Sequence, residues 1–151
     1  MIIKINNKQN KIAKEIKTIF QASYTVEAKL LKVVDFPPLK RKVSKFMTSK
    51  SDFYAYYHIK NIAGVIEINN HKDLIHIKSL VVYPKYFRKG IGSKLVQFIL
   101  NTYNSNKFAV ETAVENYPAI RLYENFGFKE QKKWDTNHGI RKIRFEKRQQ
   151  V

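Results

Sequence analysis

Two of the five glycines in this chain stand two positions apart, at Gly90 and Gly92. They fall in the stretch Ser79-Leu80-Val81-Val82-Tyr83-Pro84-Lys85-Tyr86-Phe87-Arg88-Lys89-Gly90-Ile91-Gly92-Ser93-Lys94-Leu95. The apolar, β-branched run predicts a buried strand that stops at Pro84, and a helix opens directly after a short basic turn. Glycine has no Cβ, so backbone can approach a ligand closely and take positive φ. The N–H groups left free at a helix start lie at the positive end of its dipole, and together they bind phosphate. Arg88, Lys89 and Lys94 add charge for the same anion, and Ser93 adds a hydroxyl donor. The stretch is not the dinucleotide fingerprint, since no third glycine follows in place. Nor is it a P-loop, since no Gly-Lys-Ser/Thr closes it. A turn that needs its glycines only for packing is the plainer alternative.

The rest of the composition narrows the field. A chain of 151 residues with 44% hydrophobic and 13% aromatic residues is expected to form one domain around one core. It holds no cysteine, which excludes disulfide staples, thiolate metal sites and a cysteine nucleophile. The four histidines, at 58, 71, 76 and 138, show no metal-ligand spacing, so no metal is expected. No apolar run resembles a signal peptide or a membrane span, which predicts a cytoplasmic protein with no membrane partner. The formal charge of +17 attracts polyanions: a phosphorylated cofactor, an acidic partner or nucleic acid. Lysines spread along the whole chain also fit a merely solubilising surface.

Pattern and punctuation predict a mixed α/β order. Met1–Ile5 reads as a strand. Lys8–Ala22 and Tyr24–Val34 read as two helices, the second stopped before Pro37-Pro38, and Leu39–Met47 as a third. Phe53–His58 and Asn61–Asn69 read as strands joined by a tight turn at Lys60-Asn61, followed by a strand at Leu74–Tyr83. Gly90–Tyr103 is a helix, Phe108–Val114 a strand and Tyr117–Phe126 a helix. Asn116 caps that last helix, Pro118 sits in its first turn and Gly127 follows its end. Phe128–Trp134 and Ile140–Lys147 close the chain as strands.

A second motif follows the first: Ala109-Val110-Glu111-Thr112-Ala113-Val114-Glu115-Asn116-Tyr117-Pro118-Ala119-Ile120-Arg121-Leu122-Tyr123-Glu124-Asn125-Phe126-Gly127-Phe128. Together the two stretches resemble the GNAT acetyltransferases. The window Phe87-Arg88-Lys89-Gly90-Ile91-Gly92 is similar to that family's acetyl-CoA signature, Arg/Gln-x-x-Gly-x-Gly/Ala, with Phe87 where the family usually has Arg or Gln. The downstream stretch is similar to its strand, its Asn-x-x-Ala-x-x-Leu-Tyr helix and its Gly-Phe ending. The resemblance covers roughly residues 74–130 and implies a mixed sheet of about seven strands flanked by about four helices, with two strands splayed at the acetyl-CoA site.

The resemblance also implies a reaction: an acetyl group moves from acetyl-CoA to an amine by direct attack in a ternary complex. The splayed strands would be Leu74–Tyr83 and Phe108–Val114. The backbone of Leu80 and Val82 would pair with pantetheine, and the Leu80 amide could polarise the thioester oxygen. Pyrophosphate would sit on Arg88, Lys89, Gly90, Ile91, Gly92 and Ser93, and Asn116 would bind the pantetheine arm. Tyr123 would be the general acid that protonates the departing sulfur. Glu67 is the first candidate for the base, with His76, Glu111 or a water chain as alternatives. Tyr24, Glu27 and Phe36 would wall the acceptor side, where a carboxylate holds an incoming ammonium.

Two other functions fit the residues. A basic nucleic-acid-binding module would use the charge with Tyr54, Tyr56, Tyr57, Tyr83, Tyr86 and Phe87. An acetyl-CoA-binding domain without catalysis would keep the cradle alone. The acceptor, a small molecule or a peptide amine, is not specified by these residues, and a homodimer is compatible with them.

Overall fold

The computed structural model describes residues 1–149. Its elements run β1 (Ile2–Ile5), α1 (Asn10–Leu31), a 3-10 turn (Pro37–Lys40), α2 (Val43–Thr48), β2 (Asp52–His58), β3 (Asn61–His71), β4 (Leu74–Val82), a second 3-10 turn (Pro84–Tyr86), α3 (Ile91–Thr102), β5 (Lys107–Ala113), α4 (Tyr117–Asn125), β6 (Lys129–Asp135) and β7 (Arg141–Arg148). The seven strands form one sheet in the order β1-β2-β3-β4-β5-β7-β6. Only β4 and β5 run parallel; the other neighbours are antiparallel.

Strand alternation sorts the sheet into two layers. Val65 points into a layer with Ala55 and Val81, where Ala13, Ile16, Ile19 and Phe20 of α1 pack with Phe46 of α2. Ile66 points the other way, with Ile68, Ile75 and Ile77, and there α3 buries Ile91, Leu95, Val96 and Ile99. Phe46 and Phe53 are fully buried, so cutting either to Ala costs about 3–5 kcal/mol.

Three sequence expectations change. The two helices at Lys8–Ala22 and Tyr24–Val34 are one helix of 22 residues. The junction Ala22-Ser23-Tyr24 contains no glycine or proline, and Thr18 and Thr25 bond back to the carbonyls of Lys14 and Gln21 inside the helix. The helix ends where Lys32 turns left-handed, its N–H shared between the carbonyls of Ala28 and Lys29. The third expected helix, Leu39–Met47, is instead a 3-10 turn begun by Pro37-Pro38 and then α2. The hairpin tip falls one residue earlier than Lys60-Asn61, and Ile59 takes the positive φ of 58°.

The sheet opens at one place. β4 and β5 pair from Leu74↔Lys107 to Ile77↔Val110 and no further. Beyond it, β4 stays with β3 as far as Val82↔Gly64, while β5 stays with β7 as far as Ala113↔Lys142. A bulge marks the parting: Ile68 faces Ile77 and Glu67 faces Ser79, so Lys78 is the extra residue. The β5-facing backbone edge of residues 78–82 is left without a strand partner, and a cleft lies between the separated strands.

Candidate functional site

The basic turn lies at one mouth of this cleft. Arg88 and Gly90 both take positive φ, at 63° and 75°. Gly90 is the N-cap of α3, and no side chain caps the helix. The first amides of α3 are therefore left to an outside acceptor. A Cβ at Gly92 would meet only Leu122 at 3.6 Å and Leu80 at 3.9 Å, which is ordinary contact. The protein's own packing does not demand a glycine there. A ligand lying against this backbone would.

Gly64 on β3 sets the position of α3. A Cβ there would stand 2.9 Å from Ile91 Cγ2, 3.2 Å from Leu95 Cδ1 and 3.2 Å from the Val81 carbonyl. Its bare backbone lets the helix start seat against the sheet. Sequence reasoning missed this residue, although a glycine inside an apolar strand is a known sign of close approach.

Two cavities meet between the strands. The first, of about 700 Å³, is lined by the cradle (Arg88, Gly90, Ile91, Gly92 and Ser93), by Leu80 and Val82, and by α1 and α4. Of the residues expected to hold the cofactor, Lys89 alone is not on this wall; its ammonium lies 5.9 Å from the Tyr86 ring. Phe87 lines the cavity and is 38% exposed. The second cavity, of about 650 Å³, is lined by Tyr24, Phe36, Arg41, Ser79 and Glu111, and by Trp134, Thr136, Asn137, His138, Ile140 and Lys142. Tyr24 and Phe36, expected as acceptor wall, stand together there with ring centroids 5.7 Å apart.

Five residues line both cavities and so form the neck between them: Glu27, Leu80, Asn116, Ala119 and Tyr123. Asn116 caps α4, as its sequence position predicts: its Oδ1 accepts from the Ala119 amide at 3.3 Å. Its Nδ2 donates to Glu27 Oε1 at 3.0 Å and leans on Thr112 Oγ1 at 3.4 Å. Its side chain is thus engaged within the protein, on the wall of the cavity where the resemblance implies the pantetheine arm. Burial pushes the Glu27 carboxyl up to about 7, against the pull of the Lys142 charge. Tyr123 is 3% exposed, its ring held by Phe128 and Phe145 at 5.5 and 6.5 Å. Burial first, then the charges of Tyr24 and Glu27, raise the Tyr123 phenol, so it holds its proton. No side chain or backbone group among the described residues hydrogen-bonds its hydroxyl.

Glu67 sits elsewhere. Its carboxylate is fully buried and clasped by Arg41, with Nη1 to Oε1 at 2.8 Å and Nη2 to Oε2 at 3.1 Å. Ser79 Oγ donates to Oε1 at 3.1 Å, and the Arg41 guanidinium lies 4.2 Å from the Phe46 ring. Burial would raise its pKa, but the Arg41 hydrogen bonds and charge prevail, with Ser51 and Ser79, and hold Glu67 below the usual carboxylate range. A carboxylate so held is a poor proton acceptor, and it is not on either cavity wall. It anchors Arg41 and Ser79, which are. Glu111 lines the second cavity but is paired to Arg144 at 3.0 Å. His76 lies on the paired part of β4, and burial lowers its pKa. No group of three or more His, Asp or Glu among the described residues could hold a metal ion, and none of their helices is long and apolar enough to cross a membrane.

Comparison with known proteins gives this arrangement a lineage. The model of the acetyltransferase (GNAT) domain matches residues 21–149. The UPF0157 protein YqkA of Bacillus subtilis is 34% identical over 129 residues, 85% of this chain. An N-alpha-acetyltransferase of Saccharolobus solfataricus is 41% identical over 61 residues, 38% of this chain. The chain spans only 38% and 36% of the lengths of these two relatives. Among solved structures, the ribosomal-protein-S18-alanine N-acetyltransferase of Escherichia coli superposes with a TM-score of 0.77 at 18% identity, over 97% of this chain and 91% of that one. The PaiA N-acetyltransferase of Thermoplasma acidophilum, solved with coenzyme A, superposes with a TM-score of 0.76 at 16% identity, over 99% and 98%. At such identities the likeness is one of fold.

Proposed function

The chain belongs to the GNAT acetyltransferase family, and from that premise we propose that it transfers an acetyl group from acetyl-CoA to an amine by direct attack in a ternary complex. The observation that carries this reading is the neck: a cavity walled by an anion cradle meets a second, separate cavity at a buried phenol and a carboxylate. The uncapped amides of Ile91, Gly92 and Ser93, with Arg88, would hold the pyrophosphate. The unpartnered edge of Leu80 and Val82 would bond pantetheine as a strand would, and the Leu80 amide would steady charge on the thioester oxygen. Tyr123 would protonate the sulfur as it leaves.

The names of the relatives bear on the acceptor. Several are N-alpha-acetyltransferases, and one solved neighbour acts on the alanine of a ribosomal protein. By that likeness the acceptor is the α-amine of a peptide or protein, entering past Tyr24 and Phe36. The test is coenzyme A release with a panel of free-α-amine peptides, polyamines and amino acids. Release with the peptides above the rest supports the reading; release with polyamines alone overturns the acceptor, and none with any amine overturns the activity.

A further inference from the structure

We propose that Glu27, on the first helix, is the group that takes the proton from the attacking amine, and that Asn116 positions it for this. The inference rests on the acetyl-transfer reading above and adds the proton acceptor which that reading lacks.

Glu27 is the only carboxylate among the described residues that lines both cavities. It stands where the two cavities adjoin, with Leu80, Asn116, Ala119 and Tyr123. Its Oε1 receives the Asn116 amide at 3.0 Å, and Asn116 is fixed in turn by the cap of α4, so the carboxylate is held from an element 89 residues away. The other acids near the cleft are already committed: Glu67 to Arg41 and Glu111 to Arg144. Glu27 has no ion-pair partner within salt-bridge distance among the described residues.

Its environment suits the task. A base works best when its pKa lies near the working pH, and burial brings the Glu27 carboxyl to about 7. The charged and titratable groups that share its two cavities are Tyr24 from its own helix, Lys78 from β4, Glu111 from β5, Arg121 and Tyr123 from α4 and Lys142 from β7, with Arg41, Tyr86, Arg88 and His138 from the turns and loops. Of these, the Lys142 charge acts to lower it, and burial prevails. The same carboxylate's charge helps keep Tyr123 protonated. One neck therefore holds an acid and a base whose pKa values are pushed apart.

The proton ledger closes within the neck. The neutral amine attacks the thioester carbonyl carbon: the C–N bond forms, the C–S bond breaks, and the sulfur keeps the electron pair. Glu27 takes the surplus proton from nitrogen, and Tyr123 gives its phenolic proton to sulfur. Transfer from Glu27 to the tyrosinate then restores both groups.

The test uses the full chain, acetyl-CoA and an equimolar pool of peptides with free α-amines. Wild-type kcat should rise with pH through about 7 and then level, because Glu27 must be ionised to accept a proton. Glu27→Gln should lose that acidic limb and keep less than about a tenth of the plateau. Its acetyl-CoA affinity by calorimetry should stay within about threefold. Glu27→Asp should recover part of kcat and keep an acidic limb. A Gln variant with unaltered kcat and profile overturns the inference. Failure of the acceptor reading looks different, since wild type would then bind acetyl-CoA and acetylate no peptide. In that case the Glu27 carboxyl carbon, followed by NMR in the acetyl-CoA-bound protein, decides. Titration near about 7 supports the inference, and titration below about 5 overturns it.

Discussion

Asn116 donates its side-chain amide to Glu27 Oε1 across 3.0 Å, and this bond ties the C-terminal part of the first helix to the cap of the fourth. The two helices come from opposite halves of the chain and meet where the sheet has opened. A half-buried carboxylate with an amide partner and no cation in contact carries a stability cost above its pKa, and that cost can be measured.

The sign follows from the raised pKa. Unfolded Glu27 ionises near its ordinary value of 4.5, and folded Glu27 near 7. Between the two the unfolded chain loses its proton first, so stability falls as pH rises through that window and is level above it. Glu27→Gln lacks this loss. It should be more stable than wild type at about pH 8, by about 1–3 kcal/mol after discounting for partial exposure, and the gap should vanish at about pH 4. Urea unfolding at the two pH values checks it.

Tyr123→Phe should lower kcat by about a hundredfold or more while acetyl-CoA affinity stays within a few-fold. The hydroxyl bonds no protein group among the described residues, so its removal orphans nothing and the melting temperature should barely move. Unchanged turnover would place the acid elsewhere.

Arg41→Ala leaves Glu67 buried and unpaired, which should destabilise the protein by about 3–5 kcal/mol at neutral pH. The wild-type pair holds Glu67 below its ordinary pKa, so its contribution is present above about 4.5 and is lost as pH falls further. In the variant burial is opposed only by the Ser51 and Ser79 hydrogen bonds, and that dependence reverses. Adding Glu67→Gln to Arg41→Ala should restore part of the loss. Denaturant midpoints of the three proteins across pH decide it.

What could be read from sequence, and what could not, divides by distance along the chain. The turn at Gly90 and Gly92 and the cap at Asn116 are local: glycine, proline and Asn chemistry fixes them within a few residues. Strand existence follows from local β-branched runs, and the seven-stranded mixed sheet agrees with the expectation. Glu67 is legible as a strand carboxylate but not as a paired one, because its partner Arg41 lies 26 residues away, in a stretch that reads as helix and folds as the end of a 3-10 turn. The Glu27–Asn116 bond spans still more chain. Lys89 illustrates a smaller limit, since a basic turn does not reveal which of its side chains turns back onto an aromatic ring. The split predicted at Ser23 placed a boundary where no breaker stands.

Gly64→Val should test how closely α3 must approach the sheet. The added Cβ would press on Ile91 and Leu95, costing about 1–3 kcal/mol, and should displace the helix start enough to weaken acetyl-CoA binding. If stability falls while binding is kept, the helix has tilted about its other end and the cradle has not moved.

Whether the opened sheet and the uncapped start of α3 form a phosphate cradle for acetyl-CoA is decided by calorimetric titration of acetyl-CoA into wild type, Gly92→Ala and Gly92→Glu. The alanine Cβ meets only Leu122 and Leu80 at ordinary contact distance, so that protein should fold and serve as the steric control. Wild type should bind, with weaker affinity at higher salt as phosphate contacts are screened. Gly92→Glu, which puts a carboxylate where the pyrophosphate would lie, should bind at least about tenfold more weakly. Equal affinity of wild type and Gly92→Glu would rule out a pyrophosphate site at the start of α3.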